Sequence, residues 1–148
     1  MKRKSTRCVV TSVTWISPTV LSVVFRPLQR LNYRAGQFLS LVVPKPDGSE
    51  EHFAVFLSRA PEEAERQGFE IWVRSHVDSQ VVVDYLKGLE KGATLLVSGA
   101  YGNFAFHSPS PEQDVVFAAT SSGLAPIKAI IQSEEYRSQP PRRTFLLY

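Results

Sequence analysis

The sequence holds a single cysteine, Cys8, and only three histidines, His52, His76 and His107, set far apart. One thiol cannot close an intramolecular disulfide, and its isolation all but removes a cysteine-based zinc site. None of the histidines has a second histidine or a carboxylate at the local spacing from which metal ligands converge most readily, so no metal is expected. Long apolar runs are missing as well. Nothing approaches the ~18 uninterrupted apolar residues of a membrane-spanning helix. The stretch after the basic Lys2, Arg3, Lys4 and Arg7 is broken by Thr11, Ser12, Thr14 and Pro18, which argues against a secretory signal. A soluble protein of a reducing compartment, the cytoplasm, is the expectation. Neither sign of charge is in large excess: 17 Lys and Arg stand against 14 Asp and Glu, a formal net charge of +3. The basic residues scatter, apart from Lys2–Arg7 and Arg142-Arg143, whereas phosphate binding needs them along one face or groove. Nucleic acid is therefore not an expected partner.

What remains is an ordinary globular chain. It has 148 residues, of which 43% are hydrophobic and 21% charged, a balance that excludes disorder as the default. The length suits one domain, or one domain and part of another, and can bury a core without staples. From Arg7 to Phe106 short β-type runs alternate with turns. Val9, Thr11 and Val13 alternate against Val10, Ser12 and Thr14. Val20 to Phe25 lies between Pro18 and Pro27, and Phe38 to Val43 between Gly36 and Pro44. Pro46-Asp47-Gly48-Ser49 is a turn. Phe53 to Leu57, Phe69 to Val73 and Thr94 to Val97 complete the set. Strands this short at near-regular spacing predict a small antiparallel barrel or sandwich.

One helix is predicted inside the β region, over Val81 to Leu89, where Val82, Tyr85, Leu86 and Leu89 form an apolar stripe. Asp78 or Ser79 is its candidate N-cap and Gly92 its stop. Ser108-Pro109-Ser110-Pro111 reads as a linker, dividing the chain into residues 1–108 and 109–148. Beyond it, Asp114 to Ala119 has the continuous apolar character of a buried parallel strand. Thr120-Ser121-Ser122-Gly123 is a small-residue loop, Ala125 to Tyr136 a helix with Pro126 in its first turn, and Arg143 to Tyr148 a strand. This is one βαβ unit, the opening of a doubly wound nucleotide-binding sheet. Two parallel strands leave a face bare, so either the polypeptide is a fragment or a partner, such as a second copy, completes the sheet.

Three stretches occur in a telling order: Arg34-Ala35-Gly36-Gln37-Phe38, Gly99-Ala100-Tyr101-Gly102-Asn103-Phe104 and Ala119-Thr120-Ser121-Ser122-Gly123-Leu124-Ala125-Pro126. With them the chain resembles the ferredoxin–NADP(+) reductase superfamily, which includes the NAD(P)H–flavin reductases. The first looks like that family's entry into its third strand, the second like the GPxGxF turn ending its flavin domain, and the third like its GTGxAP pyridine-nucleotide loop. The resemblance implies a mainly β architecture: an antiparallel Greek-key barrel that binds FAD or FMN, then the first βαβ unit of a Rossmann-like α/β domain that binds NAD(P)H. It further implies hydride transfer from nicotinamide to flavin and delivery of electrons to an acceptor protein or subunit. No catalytic side chain is assigned, since that chemistry belongs to the cofactors.

The family's Arg-x-Tyr-Ser/Thr flavin motif is absent. Anchored on Ala60-Pro61, its positions fall on Phe53, Val55 and Phe56; with a two-residue insertion they fall on Glu51, Phe53 and Ala54. The second register keeps an aromatic wall but reverses the charge meant for the phosphates. The family's Gly-x-x-Ser helix start corresponds to Asp78-Ser79-Gln80-Val81-Val82-Val83. Its N–H groups and dipole still attract phosphate, but Asp78 adds negative charge beside them. Arg74 is the candidate substitute cation. In the nucleotide loop Gly123 is where backbone would approach a pyrophosphate, Ser122 keeps a hydroxyl in place of threonine, and Pro126 starts the helix. Ser121 replaces a glycine, at ~1 kcal/mol if its φ must be positive. Trp72 and Tyr101 are read as packing aromatics that are also able to border a flavin, and Gly36 and Gly102 as turn and packing glycines.

Two functions follow. One is a flavin-dependent NAD(P)H oxidoreductase, or a reductase-like electron-transfer module. The other is a flavin-free, degenerate member of the fold serving as an interaction or structural subunit, suggested by the joint alteration of both flavin segments. A barrel binding an oligonucleotide would instead share basic and aromatic residues on one strand face, of which Trp72 with Arg74 is the only trace.

Overall fold

The computed structural model describes residues 5–107 and 110–148. The basic Lys2-Arg3-Lys4 and the Ser108-Pro109 half of the linker, with the division between 108 and 109, lie outside the described residues. Among the described residues the chain runs β1 (Thr6–Ser17), β2 (Val20–Pro27), β3 (Phe38–Pro44), β4 (Glu50–Phe56), α1 (Pro61–Gln67), β5 (Phe69–Arg74), α2 (Gln80–Lys87), β6 (Thr94–Tyr101), β7 (Asp114–Ala118), α3 (Leu124–Gln132), α4 (Glu134–Ser138) and β8 (Arg143–Leu147).

Strands β1 to β6 form one antiparallel sheet in the order β4-β3-β6-β1-β2-β5. Its two outermost strands, β4 and β5, run into a single bridge between Leu57 and Ile71, which curls the sheet into a barrel. Alternation along the strands fills it. On β5, Phe69, Ile71 and Val73 are buried while Glu70, Trp72 and Arg74 turn outward. The antiparallel register sets Phe69 opposite Phe25, Ile71 opposite Val23 and Val73 opposite Leu21, so the inward rows meet. Burying each such side chain contributes ~1.5–3 kcal/mol. Helix α2 adds Val82, Val83 and Leu86 to this core, with Tyr85 and Leu89 packed at its margin. Among the described residues no helix is long and apolar enough to cross a membrane.

Several local expectations are corrected. A helix, α1, lies where none was foreseen, because its one buried residue, Ala64, makes no apolar stripe. The signs for it were Pro61 at the first helical position, Glu62 and Glu63 in the first turn and Gly68 as the stop. Helix α2 ends earlier than expected, at Gly88, and Gly92, with φ of 91°, belongs to the turn into β6. Neither Asp78 nor Ser79 caps α2 with its side chain. A 3-10 turn over Val77–Ser79 leads in, and His76 Nδ1 accepts the Asp78 N–H at 3.2 Å. The Ser79 hydroxyl instead donates to the backbone carbonyls of Arg74 and His76. The helix expected over Ala125 to Tyr136 is broken at Ser133, whose extended backbone (ψ 150°) separates α3 from α4 and whose Oγ accepts the Tyr136 N–H at 3.2 Å.

Strands β7 and β8 pair in parallel, from Asp114 opposite Arg143 to Ala118 opposite Leu147. Their first residues are tied together, since Asp114 accepts from Arg142 Nε at 2.8 Å and from Arg143 Nη2 at 2.7 Å. The expected burial of β7 does not occur: Val116 is 59% exposed, and on β8 Phe145, opposite it, and Leu147, opposite Ala118, are 43% and 60% exposed. Phe117 packs toward Ala129, Ile130 and Tyr136. That cluster also includes Ala35 and Phe106, which ties α3 and α4 to the barrel, with the Phe106 and Tyr136 rings 4.7 Å apart. Gly36 makes the contact possible. Its φ is 100°, and a Cβ there would sit 2.1 Å from the Phe104 carbonyl oxygen and 3.1 Å from Ile130 Cδ1.

Candidate functional site

Because β4 and β5 join only at the Leu57–Ile71 bridge, a cleft of about 230 Å³ opens where the barrel's two edges part. Strand β4 contributes Phe53, Ala54, Val55 and Phe56 to its lining. Trp72, Val73 and Arg74 face them from β5. His76, Ser79 and Val82 close one end at the start of α2, and Ser122 reaches in from the loop before α3. Phe56 is half-buried, with its ring 5.8 Å from that of Phe38, and leaves the cleft open.

Seven residues singled out in the sequence thus meet in one place: Phe53, Ala54, Val55, Phe56, Arg74, Ser79 and Ser122. Val55 also belongs to the barrel core, at 4% exposure. Gln80 and Val81 lie on α2 outside the cleft lining; the Gln80 amide donates to Asp84 at 2.8 Å and Val81 is exposed. Thr120 borders a second, open depression of about 510 Å³ at the C-terminal ends of β7 and β8, with Ala119 and Leu147. The loop from Thr120 to Gly123 therefore stands between two hollows, Ser122 on one and Thr120 on the other. Ser121 adopts φ of 52°, the left-handed conformation for which glycine is usual. Gly123 is helical (φ −62°), and a Cβ on it would find only Ala119 Cβ, at 3.9 Å. Neither conformation nor packing accounts for the glycine. Pro126 is buried in the first turn of α3.

The electrostatics soften the expected charge reversal. Glu51 is paired with Lys45 at 3.0 Å and is not among the cleft's lining residues. The Asp78 side chain is 92% exposed and lies 3.7 Å from His76 Nδ1. The Arg74 guanidinium is exposed and has no carboxylate partner among the described residues. On the same outward face of β5, outside the cleft lining, Glu70 accepts from Ser22 Oγ at 2.8 Å and from Ser58 Oγ, with Arg59 Nε at 3.6 Å and Lys128 Nζ at 3.9 Å. Burial acts to raise the Glu70 carboxyl, but the two hydroxyl donors and the two cations outweigh it and hold its pKa below the ordinary value.

Sequence reasoning missed His76 as a lining residue, named Val82 only within the helix start, and read Trp72 as a packing aromatic also able to border a flavin. The available signal was the period of β5, which sets Trp72 beside Arg74 on the outward face. Trp72 Nε1 is buried and has no hydrogen-bond partner among the described residues. Lys128 Nζ lies 5.6 Å from the indole centroid.

Ferredoxin–NADP reductase B of Sorangium cellulosum is 34% identical over 101 residues, which cover 68% of this chain and 39% of that protein. The chain belongs to the ferredoxin–NADP(+) reductase superfamily. The reductase component DmpP of a Pseudomonas phenol 2-monooxygenase is 29% identical over 126 residues, covering 84% of this chain and 34% of that one. This superfamily member thus spans little more than a third of the length of either curated relative. Among solved structures, a ferredoxin NADP+ reductase from Neisseria gonorrhoeae with bound FAD and NADP superposes with a TM-score of 0.81 at 20% identity, over 98% of this chain and 57% of that one. The FAD/NAD-binding domain of a Vibrio cholerae nitric oxide dioxygenase gives 0.77 at 22% identity, over 99% and 62%. They share the fold: a flavin-domain-like barrel followed by a small α/β unit. No family model matches the chain.

Proposed function

We propose that this chain is the flavin-binding portion of an NAD(P)H-dependent electron-transfer reductase, with residues 1–108 as the flavin domain and 109–148 as the start of the nucleotide domain. The observation that carries the reading is the cleft between β4 and β5, walled by aromatic and aliphatic side chains and reached by Ser122 of the second unit. Pockets that swallow a drug-sized ligand run to roughly 300–1,000 Å³; at about 230 Å³ this one suits a planar ring with its phosphate tail outside. The residues present fit such a group. The Trp72 side chain lines the cleft, and Gly123 leaves uncovered backbone where space for a Cβ exists.

Hydride transfer from nicotinamide to flavin is the chemistry the bound pair supplies. The protein's part is placement. Phe53, Phe56 and Trp72 form the wall for a ring and keep water from it. Arg74 supplies the cation for phosphate, with no carboxylate partner among the described residues, since the N–H groups leading into α2 are already engaged, Asp78 N–H by His76 Nδ1 and Gln80 N–H by the Val77 carbonyl. Ser121 holds the nucleotide loop in the turn a glycine would give, and Ser122 and Thr120 set that loop between the two hollows. The acceptor of the electrons is proposed to be a protein, as the relatives' names suggest for reductase components. The flavin-free alternative rested on the joint alteration of both flavin segments toward apolar and acidic residues; of the acidic ones, Glu51 is paired outside the cleft and Asp78 is turned to solvent.

The test is the visible absorbance of the purified protein with and without added FAD or FMN. Stoichiometric yellow protein supports the reading. A colourless protein that takes up neither flavin overturns it.

A further inference from the structure

We propose that the flavin this cleft takes is FMN rather than FAD, with its terminal phosphate held by Arg74, an inference that rests on the flavin-binding reading above. The two flavins share one ring and one ribityl chain. They differ at the far end: FMN stops at a phosphate monoester, whereas FAD continues through a second phosphate to an adenosine. The choice is therefore made where the end of the cleft meets the start of α2, by what the protein offers there to a second phosphate.

It offers little. The His76 N–H donates to Ser79 Oγ at 3.1 Å, the Asp78 N–H to His76 Nδ1 at 3.2 Å, the Ser79 N–H to the His76 carbonyl at 3.0 Å and the Gln80 N–H to the Val77 carbonyl. The Ser79 hydroxyl donates to the carbonyls of Arg74 and His76. A phosphate takes these donors only by breaking bonds already made. Because His76 Nδ1 accepts a hydrogen bond, its ring is neutral and brings one N–H, at Nε2, and no charge. The Asp78 carboxylate, 92% exposed, stands in the same turn and repels a further negative group.

Two other polar side chains line the cleft, Arg74 and Ser122, and neither is engaged by a side chain among the described residues. The Ser122 hydroxyl is neutral and serves either flavin alike. Arg74 is exposed and is the lining's one Arg or Lys. A single guanidinium matches a single monoester, which gathers a charge of about −1.5 to −2 on one phosphorus at neutral pH and accepts a bidentate pair. FAD divides its charge between two phosphates, and the second meets a carboxylate and no cation.

The test titrates riboflavin, FMN and FAD separately into the full 148-residue protein, reading flavin fluorescence for each dissociation constant. Riboflavin carries the ring without phosphate and sets the baseline. FMN is expected to bind roughly 10-fold or more tightly than either riboflavin or FAD, the range for a charge-assisted hydrogen bond. Arg74→Gln is expected to abolish the advantage of FMN over riboflavin, a ratio that general damage to the ring site leaves alone. If the wild type binds FAD as tightly as FMN or more tightly, the inference fails. It fails equally if Arg74→Gln keeps the FMN advantage. Either result leaves the flavin reading standing, whereas a wild type that takes up none of the three removes reading and inference together.

Discussion

Lys128 on α3 holds its ammonium 5.6 Å from the centre of the Trp72 indole while donating to the Ser58 carbonyl at 3.0 Å. One side chain from the second unit thereby touches both edges of the cleft: the segment after β4 and the outward face of β5. The same ammonium is 3.9 Å from Glu70. The position of α3, and with it of Ser122, is set partly by this lysine.

Lys128→Met is expected to destabilise the protein by about 1–3 kcal/mol, since a partly desolvated cation–π contact and a hydrogen bond disappear together. Urea unfolding followed by tryptophan fluorescence measures it. An unchanged midpoint would show that α3 is seated by the Ile130 and Tyr136 contacts alone.

Stability should fall on acidification through Glu70. Its folded pKa lies below the unfolded value, near 4.5, so its contribution is fully present above that pH and is lost as pH drops through the folded value. Glu70→Gln should flatten the slope of unfolding free energy between pH 5 and pH 3. A slope equal to that of the wild type would assign the acid sensitivity to other carboxylates.

Two loop positions should respond in opposite ways. Ser121→Gly removes left-handed strain and is expected to be neutral or stabilising by up to ~1 kcal/mol, with cofactor binding kept. Gly123→Ala sits at a helical φ with open space, where alanine stabilises by ~0.4–1 kcal/mol. It should nonetheless weaken NAD(P)H binding, read as the rate at which NADPH or NADH bleaches bound flavin. Equal bleaching would remove the loop from the nucleotide site.

Gly36→Ala is expected to cost at least about 2 kcal/mol, because a left-handed backbone and a blocked Cβ coincide there. Loss of soluble protein or a Tm lowered by several degrees would show it, and a normal Tm would mean that Phe104 moves aside freely.

The barrel strands were legible because a two-residue period needs no knowledge of neighbours, as in the Phe69, Ile71, Val73 row. Helix α1 was not, since its sequence is almost wholly polar and only end signals marked it. The apolar run of β7 was misjudged for a different reason: a run reports how apolar a strand is, not what covers it, and Val116 stands uncovered. The cleft was legible in part. Phe53 to Phe56 and Arg74 were reached through the order of three motifs and Trp72 as an aromatic able to border a flavin, whereas His76 gains its place only when β4 and β5 close at Leu57 and Ile71. Ser133 shows the limit on helices, since the apolar stripe continues through the break its hydroxyl makes.

The outer surface of β7 and β8 bears on how independent the last part of the chain is. With Val116, Phe145 and Leu147 in water, the interior contacts of that segment are made largely with Ala35, Phe106 and the lysine-bound wall of its neighbour. Polypeptides below about 40 residues seldom fold unaided. Severed after position 109, the remainder should behave as an unstructured peptide, while the portion before the cut keeps its circular dichroism: autonomy belongs to one side only.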